Sequence, residues 1–155
     1  MKLLSSEFKN GVSIPKKYTC EGPNISPPLQ FIDIPSNAST LVLTVEDADT
    51  EGNIPWVHWL VFNIPATSNG FEEGMVSPGS IEGLCNGNTF GYEGPCPPEN
   101  IHRYVFKLYA LDIVLAIAPE SNKETVLKLA KRHIIEEAEL VGLYQKEKLI
   151  KEKVK

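Results

Sequence analysis

Val57-His58-Trp59-Leu60-Val61-Phe62-Asn63-Ile64 decides the fold. Apolar and β-branched residues occupy both parities of this stretch, and eight residues is a strand's length rather than a helix's. A strand apolar on both faces is buried on both, so the segment is expected at the centre of a sheet. Two more strands flank it in sequence. Leu41-Val42-Leu43-Thr44-Val45 precedes it, and Arg103-Tyr104-Val105-Phe106-Lys107-Leu108-Tyr109-Ala110-Leu111 follows. Weaker strand patterns lie at 29–32 and 139–145. All 12 prolines fall at or before Pro119, and ten of the 11 glycines at or before Gly94. Dense punctuation between short apolar runs is the pattern of a mostly β domain with many turns.

The last third changes character. Proline ends, and Lys, Glu and Leu take over. Ser121-Asn122-Lys123-Glu124 reads as a capping box, with Ser121 as the N-cap and Glu124 reaching back. Val126, Leu127, Leu129, Ala130 and Ile134 then form a helical stripe that is expected to end near 133–137. Residues 146–155 read as a frayed or helical tail.

The chain has 155 residues, which is one domain, 1–155. Its formal charge is −5, which argues against nucleic acid as a partner. The charge is uneven: −7 over residues 1–119 and +2 over 120–155. No run approaches a membrane span. Met1 to Glu7 lacks a signal-peptide apolar core, so the expectation is a cytoplasmic protein. Cys20, Cys85 and Cys96 make an odd count, without CxxC or zinc-finger spacing, and are expected to be mostly reduced.

Pairing 41–47 with 57–64 so that Asp47 faces His58 also sets Val45 against Leu60 and Leu43 against Phe62. Asp47 and His58 then share the loop end of an apolar face. On the third strand His102 and Tyr104 sit at the start of the face that continues through Phe106, Leu108 and Ala110. The segment Gly91-Tyr92-Glu93-Gly94-Pro95-Cys96-Pro97-Pro98 just before it is stiffened by three prolines, so it suits a fixed wall whose amides face a ligand. Two imidazoles, a carboxylate, a phenol and backbone donors suit a small phosphate-like anion. Taken singly, His58 is more often a satisfied core residue, Asp47 and Asp49 turn residues, and Trp56 and Trp59 core. Two His and an Asp also match a zinc ligand set, but no HxH or HExxH spacing supports it. No GxSxG elbow and no GxxxxGK[ST] loop occurs.

At these residues the chain resembles the phosphatidylethanolamine-binding protein family, in its bacterial and archaeal Raf-kinase-inhibitor-like branch. Four blocks carry the likeness: Tyr18-Thr19-Cys20-Glu21-Gly22-Pro23-Asn24-Ile25-Ser26-Pro27-Pro28-Leu29, Glu46-Asp47-Ala48-Asp49, Trp56-Val57-His58-Trp59, and Gly91 to Pro98 followed by Ile101-His102-Arg103-Tyr104-Val105-Phe106. Their order and gaps agree with the family, and they cover most of 18–145. The family's Asp-Pro-Asp-Ala-Pro segment is matched by Asp47-Ala48-Asp49-Thr50, without either proline.

The resemblance implies an antiparallel Greek-key β-sandwich with one or two peripheral helices. It implies a shallow anion pocket lined by Asp47, His58, Gly91, Gly94, Pro95, Pro97, His102 and Tyr104. It implies a non-enzymatic protein without cofactor or metal that binds a phosphate-like anion or phospholipid head group and regulates or inhibits a partner. One alternative is a kinase or serine-protease inhibitor acting by protein contact with a vestigial pocket. The other is a hydrolase using Asp47 and His58 as acid and base. The resemblance also allows a homodimer, and brings Cys20 near Cys96.

Overall fold

Four long strands organise the chain, three of them buried along most of their length. In a computed structural model, which describes residues 1–147, these are β4 (Thr40–Asp47), β5 (Trp56–Pro65), β8 (His102–Leu111) and β9 (Ile134–Tyr144). Short pieces complete two sheets: β1 (Lys2–Leu4), β2 (Val12–Ser13), β3 (Leu29–Ile32), β6 (Gly70–Phe71) and β7 (Ile81–Glu82). The larger sheet runs β2-β9-β8-β4-β5-β7, and the smaller β1-β3-β6. All pairings are antiparallel except β2 with β9. The chain is mostly β. The short strands β1, β2, β6 and β7 carry too few residues for an alternation pattern and were not legible in the sequence. Expected residues 146 and 147 of the tail are described, and 148–155 lie outside the described residues.

The inner face of the large sheet packs against the small one. Leu41, Leu43, Val45, Trp59, Val61, Phe106 and Leu108 form one buried cluster with Leu3, Phe31 and Phe71. The outer face carries Val42, Leu60, Phe62 and Leu111, covered by Val126 and Ala130 of the helix α1 (Lys123–Ala130). Each buried Val, Leu or Phe among these contributes about 1.5–3 kcal/mol by leaving water. Helix α1 is capped by Asn122, whose side chain accepts the Thr125 amide at 3.0 Å. This displaces the expected cap by one residue: the Ser121 carbonyl is already held by the Leu84 amide.

Strand β5 is buried on both faces, as its composition requires, but it is not central. Only Val61 and Phe62 pair outward, with β7, whereas β4 is paired along its length on both sides. The expected register between β4 and β5 is also wrong. Asp47 pairs with Trp56, Glu46 with Val57, Val45 with Trp59 and Leu43 with Val61. The ladder slips twice, between Val45 and Glu46 and between Leu41 and Leu43. Each slip is a bulge, which turns two consecutive residues to one side and defeats a strict two-residue alternation. The first places His58 beside Trp59 on the inner face. The second involves Asn63, at φ 52°.

Candidate functional site

The loop end of β4, β5 and β8 opens into a cavity of about 770 Å³. Asp47 closes β4 at its floor and is 4% exposed. Its Oδ1 accepts the Asp49 amide at 2.8 Å, the local turn that lets the chain leave the strand. Its Oδ2 lies 2.6 Å from Nδ1 of His102, the first residue of β8. The carboxylate therefore partners His102, not His58 as the sequence register implied. The cause is β8 pairing: Asp47 stands opposite Tyr104, so His102 reaches the same turn.

His58 finds a different partner. Its Nδ1 donates to the Glu93 carbonyl oxygen at 2.7 Å, and its ring meets Tyr104 edge to face, centroids 5.3 Å apart. Burial disfavours the imidazolium more than the Glu93 carbonyl and the Asp47 charge favour it, so the His58 pKa is pushed below its ordinary value. Tyr104 has no exposed surface, and its hydroxyl makes no hydrogen bond of ordinary geometry, with the Asp47 carboxylate and the Cys96 backbone as its polar neighbours. Burial first, and the Asp47 charge second, hold that phenol far above its ordinary pKa.

The wall after Gly91 is braced from behind. The Tyr92 hydroxyl donates to the Tyr18 carbonyl at 2.7 Å, the Gly94 amide to Asn24 Oδ1 at 2.8 Å, and the Cys20 amide to the Pro95 carbonyl at 3.1 Å. A Cβ on Gly94 would stand 2.2 Å from the Tyr18 carbonyl oxygen, so only glycine permits this approach. Cys20 and Cys96 are joined as a disulfide with Cα atoms 5.4 Å apart. Their expected closeness is observed, and their expected reduced state is not. Cys85 alone is a free, buried thiol, its pKa pushed up to about 11 by burial.

Of the residues expected at the site, Asp47, His58, Gly94, Pro97, His102 and Tyr104 line the cavity. Gly91 and Pro95 do not. Gly91, at φ 95°, turns the chain beside Glu82, and Pro95 is buried and gives its carbonyl to Cys20. The sequence reading missed the rim: Glu51, Glu93, Glu99, Trp56 and Asn100 also line it. Trp56, expected in the core, is 43% exposed at the mouth, whereas Trp59 is fully buried. Their positions relative to the bulge make that difference, which no spacing reveals. Asp49 lines the rim with its carboxylate held by the Arg103 guanidinium at 2.8 Å, which lowers its pKa. Among the described residues, no group of three or more His, Cys, Asp or Glu is placed to hold a metal ion, and no helix is long and apolar enough to cross a membrane.

Comparison with known proteins places this geometry in a family. A protein of Methanothermobacter thermautotrophicus described as a UPF0098 protein is 44% identical over 151 residues, covering 94% of this chain and 99% of the relative. A UPF0098 protein of Chlamydia pneumoniae is 45% identical over 150 residues, again 94% and 99%. The solved structure of the phosphatidylethanolamine-binding protein homologue CT736 from Chlamydia trachomatis is 43% identical, covers 94% of this chain and 97% of its own, and superposes with a TM-score of 0.90. Escherichia coli YbcL, described as a member of the mammalian PEBP family, is 27% identical over 94% and 98%, with a TM-score of 0.87. The family model for phosphatidylethanolamine-binding protein matches residues 4–145, and the chain belongs to that family.

Proposed function

We propose that the protein binds a small oxyanion, a free phosphate or a phosphorylated head group, in the cavity at Asp47, His58, His102 and Tyr104, and does so without catalysis. The observation that carries this reading is the pair of imidazoles, His58 and His102, which line one cavity with Nδ1 engaged by the protein and Nε2 left over for a ligand. Catalysis is less well supported. The cavity's Thr50 hydroxyl is spent on the Ile54 carbonyl, and Cys96 is oxidised, so neither serves as a nucleophile beside an imidazole. Asp47 is engaged by His102 rather than His58, which speaks against the acid–base pair Asp47/His58 that the hydrolase reading invokes.

The same reading takes the two sheets as the family's Greek-key sandwich and places the protein in the cytoplasm. Inhibition of a kinase or serine protease by contact at the rim, and a homodimer, are compatible roles for the surfaces around the cavity. Calorimetric titration with methyl phosphate tests the central claim. Saturable one-to-one binding, weakened roughly 10- to 150-fold by His58→Ala, is expected from loss of one hydrogen bond to a charged group. No heat at millimolar ligand ends the claim. Turnover of a phosphoester or acyl ester lost in His58→Ala would favour the hydrolase instead.

A further inference from the structure

The two imidazoles of the cavity are locked in one tautomer by two different acceptors. A carbonyl oxygen only accepts, so the contact with Glu93 puts the proton of His58 on Nδ1. The Asp47 carboxylate likewise draws the His102 proton to Nδ1. The nitrogen left for a ligand is Nε2 in both rings, and neither Nε2 bonds within the described protein. On a neutral imidazole that nitrogen is a lone pair. An ionised oxygen offers only lone pairs too, so the two repel unless a proton stands between them.

Around His58 the surrounding charges do not supply that proton. His58 faces Asp47 from β4, Glu93 from the wall loop and the Tyr104 phenol from β8, and burial still favours its neutral form. His102 faces Asp47 and Asp49, the latter neutralised by Arg103. At the mouth, Glu51 and Glu99 are exposed carboxylates. A fully ionised dianion therefore enters a site with no uncompensated cation and several negative groups.

We propose that the cavity takes up its oxyanion together with one proton, which bridges a ligand oxygen and Nε2 of His58. Its preferred ligands are then weak oxyacids that carry their own proton near neutral pH, namely phosphate monoesters, ahead of permanently ionised phosphodiesters and sulfate esters. This rests on the oxyanion-binding reading above. It sharpens it by separating a free phosphate monoester from the diester linkage of a lipid head group.

The test is calorimetry at pH 7.5 with methyl phosphate, dimethyl phosphate and methyl sulfate, each in buffers of different ionisation enthalpy. A monoester's second pKa is near 6, so it is chiefly a dianion there. Uptake of about one proton per methyl phosphate is expected, with affinity rising about tenfold per unit as pH falls from 8 to 7, the slope one linked proton imposes. Dimethyl phosphate and methyl sulfate should bind at least tenfold more weakly. His58→Gln places an amide N–H where the bridging proton would sit, so it should bind methyl phosphate without proton uptake and lose the discrimination. Methyl phosphate binding with no buffer-dependent heat, a diester or sulfate ester binding as tightly, or full proton uptake in His58→Gln would overturn the proposal while leaving oxyanion binding intact. Absence of binding by all three probes would overturn both.

Discussion

Strand β5 breaks step with β4 twice, and the two breaks serve different ends. Near Asp47 the extra residue is His58, which shares the inner face with Trp59 and points its free nitrogen to the cavity. Near Leu41 the irregular residue is Asn63, at positive φ, and its side chain is consumed by the backbone. Its amide donates to the Leu115 carbonyl at 2.9 Å and its Oδ1 accepts the Leu115 amide at 2.9 Å. One bulge leaves a polar atom for a ligand, and the other satisfies every polar atom it turns inward. The same local device thus makes a site at one end of a strand and a joint at the other. What differs is whether the partner comes from the protein.

The largest effect should come from the residue that anchors the first bulge. Trp59→Ala removes a fully buried indole packed on Phe71 and Tyr92 and bonded to Glu82 at 3.0 Å. A loss of about 3–5 kcal/mol in urea unfolding is expected. A loss under 1 kcal/mol would mean that the bulge does not depend on core packing. Asn63→Ala should come next. It leaves the Leu115 amide and carbonyl without their partner, and about 2 kcal/mol is expected, with methyl phosphate affinity unchanged. A change in affinity there would show that the two breaks are coupled.

The smallest effect separates them by pH. His58 has a folded-state pKa below its unfolded value of about 6.5. The unfolded chain therefore binds more protons as pH falls through 6.5, and the stability held by neutral His58 is complete above that pH and lost below it. Thermal unfolding should show a steeper fall in Tm from pH 7.5 to 5.5 for the parent than for His58→Gln. Equal slopes would mean that His58 is no less basic folded than unfolded.

How far each element was legible follows from the range of the force that sets it. The mostly β class, the strands β3, β4, β5 and β8, the second half of β9 and the start of the helix were readable because propensity, alternation and capping act over a few residues; the helix ends at Ala130, and Ile134, expected in its stripe, opens β9. The four motif blocks carried the family, since together they are too specific to arise by chance. The Asp47–His102 pair, the fate of Gly91 and Pro95, the exposed Trp56 and the Cys20–Cys96 bond were not readable in that way.

Each of these depends on a contact between segments far apart in the chain. A single bulge shifts every partner after it and reverses which of two neighbouring residues faces inward. Local chemistry therefore determined which groups this protein possesses, and named Asp47, His58, His102 and Tyr104 among them. Only the three-dimensional packing decided which imidazole the carboxylate holds, because that choice is made by the register of β8 against β4. It also decided that the His58 pKa is lowered, because burial is a property of everything around a residue and none of it lies in the residue itself.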